Sequence, residues 1–233
     1  MRRVAIIPAR GGSKRIPRKN IKSFCGKPIL AYSIEAALKS NLFNEVMVST
    51  DDPEIADVAK NLGAKVPFLR SVKSSNDYAT TFDVLEEVLS SYSKQNICFN
   101  QGCCIYPTAP FTTPAKLIKF FNYLDVSNFD CVFPVVKYSY PIQRALKLDE
   151  SNKMSMVSPE NIVARSQDLS NSYHDAGQFY CFKIDKLLEA KSLWTENTGA
   201  FEIKEMEVQD IDNIEDWEIA EFKYKLLLEK NAI

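Results

Sequence analysis

The 233-residue sequence has one histidine, no paired Cys-x-x-Cys spacing, no long apolar run and almost no net charge, with 29 Lys+Arg against 30 Asp+Glu. Each shortage closes a class of function. A formal charge of −1 gives no global field to attract nucleic acid or an anionic membrane, so any anion binding must be local. The six cysteines, Cys25, Cys98, Cys103, Cys104, Cys131 and Cys181, lack metal-ligand spacing, and several sit in apolar runs. That predicts reduced core thiols rather than disulfides or zinc. The apolar residues behind Met1-Arg2-Arg3 are interrupted by Pro8 and Arg10, too early for a signal-peptide core, and no stretch qualifies as a membrane span. A cytoplasmic chain is expected. No Gly-x-Ser-x-Gly elbow exists, and His174 and Asp175 are adjacent residues that point opposite ways on an extended segment, so His174 reads as structural or substrate-contacting rather than as part of a triad.

What is present is alternation. Residues 3–8 read as a strand, 28–40 as a helix with Ile29, Leu30, Ile34, Ala37 and Leu38 on one face, and 45–49 as a second strand. Asp52-Pro53 opens a helix that Gly63 closes, with cap, first-turn proline and terminal glycine in their preferred places. Thr80-Thr81-Phe82-Asp83 starts a helix to residue 92, followed by a strand at 102–106, a helix at 113–123 and a strand at 130–136. This order predicts an α/β fold with a mostly parallel sheet covered by helices, its ligands at the carboxyl ends of the strands. The period lapses over residues 137–172, an excursion that reads as a functional flap or an oligomer contact. Strands at 177–184 and 202–208 and a helix over 213–230 complete the chain. Without a linker or internal repeat, residues 1–233 read as one domain with that excursion.

The first strand runs into Arg10-Gly11-Gly12-Ser13-Lys14-Arg15-Ile16-Pro17-Arg18-Lys19-Asn20. Neither the Walker spacing nor Gly-x-Gly-x-x-Gly is there. Two glycines able to approach a ligand and a crowd of cations able to neutralise oxygens point to a polyphosphate guest, against the alternative of a solvated basic loop. Asp210 and Asp212, at i and i+2 behind the expected strand, are oriented alike by extended alternation while Ile211 points inward; such a pair suits Mg²⁺, and Asp212 equally suits a helix cap. Asp51 and Asp52 form a second acidic pair, better read as the start of the next helix. Tyr138, Tyr140, Phe179 and Tyr180 read as core by default, with an apolar wall against a ligand as the alternative.

The basic loop, Tyr106-Pro107-Thr108-Ala109-Pro110 and Asp210-Ile211-Asp212 together resemble the three signatures of the cytidylyltransferases that activate nonulosonic, sialic-type acids. Residues 140–146, 164–169 and 173–180 are most similar to the branch of that family that acts on pseudaminic acid. The resemblance implies a three-layer, Rossmann-like nucleotidyltransferase in which the anomeric hydroxyl of a nine-carbon keto-sugar acid attacks the α-phosphate of CTP, with Mg²⁺ as cofactor. It implies triphosphate contacts at Arg10, Gly11, Gly12, Ser13, Lys14 and Lys19, ribose at Asn20, and nucleotide framing by Arg70, Ala79 and Thr81. Sugar contacts fall to Tyr106, Gln143, Arg144, Arg165, Gln178 and Tyr180, and Mg²⁺ to Asp210 and Asp212. Arg165 reads equally as a surface arginine. A homodimer is implied, with residues 137–172 reaching the second subunit and completing the sugar site. Tyr106 stands where the neuraminate enzymes carry glutamine, and Gln143 or Arg144 where they carry lysine, so a different nonulosonate is expected. The alternatives are an N-acylneuraminate or legionaminate enzyme, one using an eight-carbon keto acid or a sugar 1-phosphate, and an idle nucleotide-binding protein.

Overall fold

The computed structural model describes residues 1–230 and 233. Along the chain, β1 (Arg3–Pro8) leads through a small hairpin, β2 (Ser23–Phe24) and β3 (Lys27–Pro28), into α1 (Ile29–Lys39) and β4 (Glu45–Ser49). Next come α2 (Pro53–Asn61), α3 (Val72–Ser75), α4 (Thr81–Ser93), β5 (Gln101–Ile105), α5 (Pro114–Val126) and β6 (Cys131–Lys137). A second hairpin, β7 (Leu146–Leu148) and β8 (Met154–Met156), precedes β9 (Tyr173–Asp175), β10 (Phe179–Lys183), α6 (Ile184–Ala190), β11 (Thr198–Glu202) and α7 (Ile214–Glu229).

The seven-stranded sheet has the order β11-β6-β10-β5-β1-β4, with β9 paired to the end of β6. β1 runs parallel to β4 and β5, and β6 parallel to β11, while β10 lies antiparallel between β5 and β6. Val4, Ala5, Ile6 and Ile7 are all fully buried, as a central strand covered on both faces requires. Their alternation divides the core. Ala5 and Ile7 pack with Leu30, Ile34, Leu117 and Phe121 of α1 and α5, whereas Val4 and Ile6 pack with Leu85, Val88 and Leu187 of α4 and α6. The result is the expected three layers.

A third apolar cluster joins distant parts of the chain. Ile16 of the basic loop and Phe24 of β2 meet Ile211 and, from α7, Trp217, Ala220 and Leu227. Burying a side chain such as Ile211 contributes about 1.5–3 kcal/mol, enough to hold its segment against the loop.

Several expectations need correction. The last strand lies at Thr198–Glu202 rather than 202–208, because Gly199 gives the flat face that Phe129 covers and Phe201 joins the core, whereas Glu205–Glu207 is a single 3-10 turn. Asp210 and Asp212 therefore leave a loop, not a strand. The strand expected at 177–184 starts at Phe179, after Gly177 with φ +60°, and Ile184 already belongs to α6. Asp212 does not cap the last helix; Asn213 and Asp216 form that capping box. Cys103, Cys104, Cys131 and Cys181 are buried free thiols, but Cys25 is half-buried and Cys98 exposed, since both lie in connections. Phe179 and Tyr180 are core, while Tyr138 and Tyr140 project from the excursion into solvent.

Candidate active site

A cavity of about 670 Å³ opens at the carboxyl ends of β1 and β5. Arg10, Lys14, Arg15 and Lys19 line one wall, Arg70 another, and Ala79, Thr81 and Tyr106 the far side. Ser13 and Asn20 complete the basic wall. Segments spread over about a hundred positions are thus brought together.

The loop is wired from beneath by the turn after β4. The Gly11 N–H donates to Asp51 Oδ1 at 2.9 Å, and a Cβ on Gly11 would stand 2.7 Å from Asp52 Oδ2. Gly11 therefore turns toward the acidic pair, and its N–H is not offered to the cavity. At Gly12, by contrast, an added Cβ would meet nothing within 4 Å. Asp52 caps α2 through the Ile55 N–H (3.0 Å) and pairs with Arg18, which also meets Glu54. The Arg18 guanidinium holds the Asp52 carboxyl below its usual range. Arg18 has φ 54°, a left-handed conformation held by this pairing, and its charge is committed away from any ligand. Asn20 Nδ2 donates to the Arg10 carbonyl at 2.9 Å, fixing the turn. Arg70 is buried, its guanidinium bracing the carbonyl and hydroxyl of Ser49 at the end of β4; burial pushes its titration down.

The other side of the loop meets the chain's far end. Lys19 Nζ donates to the Ile211 carbonyl at 2.7 Å, and Arg15 pairs with Asp212 at 2.6 Å. Burial lowers the Lys19 ammonium, against the opposing pull of Asp212 and Asp210. Lys223 of α7 donates to the Val208 carbonyl at 2.9 Å and to Gln209 Oε1 at 3.1 Å, so the segment carrying both aspartates is pinned from behind. Neither Asp210 nor Asp212 lines the cavity itself; they flank the basic wall.

Of the six residues assigned to sugar, Tyr106 alone lines the cavity. Tyr180 packs behind it, ring centroids 5.5 Å apart. Gln178 is buried, its Nε2 turned to the Glu207 carbonyl. Gln143 bonds Ser170, Arg165 pairs with Asp168 at 2.6 Å, and Arg144 is exposed, all within the excursion. His174 Nδ1 lies 2.9 Å from the Asp175 carbonyl oxygen and its ring packs on Tyr138.

Sequence reasoning misses Asp77. Its carboxylate meets Arg10 at 2.8 Å and Lys14 at 2.6 Å, and those two cations, Lys14 first, hold it below the usual carboxylate range. The only signal is a turn-forming Ser-Ser-Asn-Asp run. Arg15 belongs to the basic loop, but its sequence context assigns it no role of its own.

A family model described as Cytidylyltransferase matches residues 4–215. The chain is 42% identical over 226 residues to a pseudaminic acid cytidylyltransferase of Campylobacter jejuni, covering 97% of each protein. It is 32% identical over 228 residues to a CMP-N,N'-diacetyllegionaminic acid synthase of Legionella pneumophila, covering 95% of each. Among solved structures, a CMP:2-keto-3-deoxy-manno-octonic acid synthetase complexed with CTP aligns with TM-score 0.72 over 97% of this chain and 99% of that one, a likeness of fold at 18% identity. With the three-layer sheet and the cation-walled cavity at its strand ends, the near full-length match means that the chain belongs to the cytidylyltransferase family of enzymes.

Proposed function

We propose that this enzyme transfers CMP from CTP to the anomeric hydroxyl of a nonulosonic acid, with pseudaminic acid the preferred acceptor, and releases pyrophosphate. The observation that carries the reading is the cavity walled by Arg10, Lys14 and Lys19 and closed by Tyr106, in a chain so similar over its length to a pseudaminic acid enzyme. The sugar oxygen forms a bond to the α-phosphorus as the bond to the bridging oxygen breaks, and its proton passes to solvent. Such a transfer needs positioning and charge neutralisation rather than a side-chain nucleophile.

Arg10, Lys14 and Lys19 would hold the triphosphate, with Gly12 and Ser13 along it and Gly11 setting the turn. Asn20 would face the ribose, and Arg70, Ala79 and Thr81 the nucleoside. On binding, phosphate oxygens replace Asp77 as the partner of Arg10 and Lys14. Among the described residues no three His, Cys, Asp or Glu side chains converge on a metal cage. Two carboxylates, Asp210 and Asp212, still fit Mg²⁺, which takes one or two of them and fills its shell with phosphate oxygens and water. Bound there, Mg²⁺ supplies charge neutralisation for the phosphates and the departing pyrophosphate.

Gln143, Arg144 and Arg165 reach sugar in this reading by way of a homodimer, with residues 137–172 of one copy completing the site of the other. Tyr140 and Val163, 84% and 87% exposed on the excursion, are the apolar side chains such a contact would cover. No helix among the described residues is long and apolar enough to cross a membrane. A cytoplasmic enzyme, where CTP is made, fits the reading.

The test supplies CTP and Mg²⁺ with pseudaminic, neuraminic and legionaminic acids in parallel, following pyrophosphate and the CMP-sugar. The highest kcat/KM is expected for pseudaminic acid. Preference for another acid reassigns the substrate, and CTP binding without acid-dependent pyrophosphate release refutes the activity.

A further inference from the structure

Residues 208–213, which carry Asp210 and Asp212, belong to neither helix nor strand, so their backbone must find its partners elsewhere. Lys223, half-buried on α7, sets its ammonium among three acceptors: the Val208 carbonyl at 2.9 Å, Gln209 Oε1 at 3.1 Å and the Glu205 carbonyl at 3.4 Å. The amide of Gln209 then turns its Nε2 to the Asp210 carbonyl at 3.2 Å. One residue further, Lys19 takes the Ile211 carbonyl at 2.7 Å, and the Asp212 N–H donates to Asp216 Oδ2 at 2.9 Å. From Val208 to Asp212 each residue is thereby held by a side-chain hydrogen bond.

An ammonium only donates, so Lys223 can take Gln209 only by the amide oxygen. That leaves the NH₂ for the Asp210 carbonyl, which can only accept. Lys223 thus settles which way the amide faces, and through it the peptide from which the Asp210 side chain hangs. Asp210 itself is exposed, so the aim of its carboxylate depends on where that peptide is held. Without the ammonium the Gln209 amide is free to turn over, and the Val208 carbonyl loses its donor at the same time.

We propose that Lys223 is a positioning residue for Mg²⁺ capture, acting through the Gln209 amide to aim the Asp210 carboxylate. The inference rests on the reading of Asp210 and Asp212 as the Mg²⁺ pair. Lys223 itself meets neither metal nor nucleotide in this arrangement. Outer partners that orient a metal's ligands contribute about 10–100-fold in affinity, and one acting through a single amide belongs at the lower end.

Calorimetric titration with CTP, without the acceptor acid, in EDTA and over a series of Mg²⁺ concentrations tests it. The proteins are wild type, Lys223→Met, Gln209→Met, the double variant and Asp210→Asn, with thermal midpoints measured on the same samples. Both methionines keep the length of the side chain, and Gln209→Met serves if Lys223→Met fails to fold. Each single variant is expected to raise about tenfold the Mg²⁺ concentration at which CTP affinity has risen half-way, while affinity in EDTA moves less than twofold. The double variant should be no worse than Lys223→Met, because both changes break one link. Equal losses with and without Mg²⁺, effects that multiply, or a silent single variant overturn the proposal, and a lost Mg²⁺ response in Asp210→Asn then leaves the metal reading standing. If Asp210→Asn keeps the full response to Mg²⁺, or wild type gives none, the metal reading falls and the positioning role with it.

Discussion

The two glycines of the basic loop are neighbours in sequence and opposites in surroundings, so alanine at each should act in opposite directions. At Gly11 the new Cβ would stand 2.7 Å from Asp52 Oδ2 and 3.0 Å from Asp52 Cβ, closer than packed atoms tolerate. The carboxylate must rotate, and it both caps α2 and holds Arg18. Losing a cap costs about 1 kcal/mol, and disturbing a partly exposed ion pair about 0.2–1 kcal/mol. Against this, alanine restricts the unfolded chain and returns about 0.4–1 kcal/mol where the native backbone accepts it. Neither glycine lies in the left-handed region, so that return applies to both. The net for Gly11→Ala is about 0.2–1.6 kcal/mol of destabilisation. At roughly 2–4 °C per kcal/mol for a chain of this size, its thermal midpoint falls by about 0.5–6 °C.

At Gly12 nothing lies within 4 Å, so Gly12→Ala should keep or raise the midpoint. Its added methyl meets no protein atom, and because Gly12 is proposed to lie along the triphosphate, its effect belongs in the affinity for CTP. Calorimetry of the three proteins at pH 7, paired with CTP titration, separates these outcomes. If Gly11→Ala is as stable as wild type, or if Gly12→Ala loses as much stability, the wiring of the loop through Asp52 is wrong.

Further outcomes are expected. Asp212→Asn should lower turnover by orders of magnitude with little change in thermal midpoint, since its partner Arg15 is largely exposed; unchanged pyrophosphate release at saturating Mg²⁺ would refute a metal role. Asp52 has its titration depressed in the fold, chiefly by Arg18, so its contribution is complete above the usual carboxylate range and vanishes as pH falls through the lower folded value. Urea midpoints from pH 7 down to 3 should therefore drop less steeply for Asp52→Asn, which can still cap, and parallel curves would count against the pairing. In sedimentation, the wild type should run as a dimer and Tyr140→Asp with Val163→Asp as a monomer. A fully active wild-type monomer would contradict the proposed subunit contact.

Local signals read well where one side chain settles the matter. Asp52-Pro53 marks its own helix start, and four buried apolar residues in a row make β1 a central strand wherever the chain goes next. The residues of the basic loop, of 79–81 and of Tyr106 converge because strand ends gather in a parallel sheet. What cannot be read locally depends on distant partners. The position of β11 is hidden because Gly199 looks like a strand breaker until Phe129 lies over it. Asp212 looks like a cap because the competition with Asn213 is decided by Asp216, three residues beyond the asparagine. Asp77 gives no periodic signal, and its importance comes from two cations more than sixty positions earlier.

The clasp between Ile16 and Ile211 gives the enzyme a sense of time. Lys19 and the Ile211 carbonyl that it holds are separated by 192 positions, and the last strand of the sheet is finished by Glu202. A growing chain can therefore assemble every layer of its fold before α7, whose Trp217, Ala220 and Leu227 hold Ile211 in place, has left the ribosome. Until then the cations of the loop face no aspartates from the far end of the chain. On the proposed reading, in which Asp210 and Asp212 hold Mg²⁺, the basic loop gains its acidic partners only after the sheet is complete.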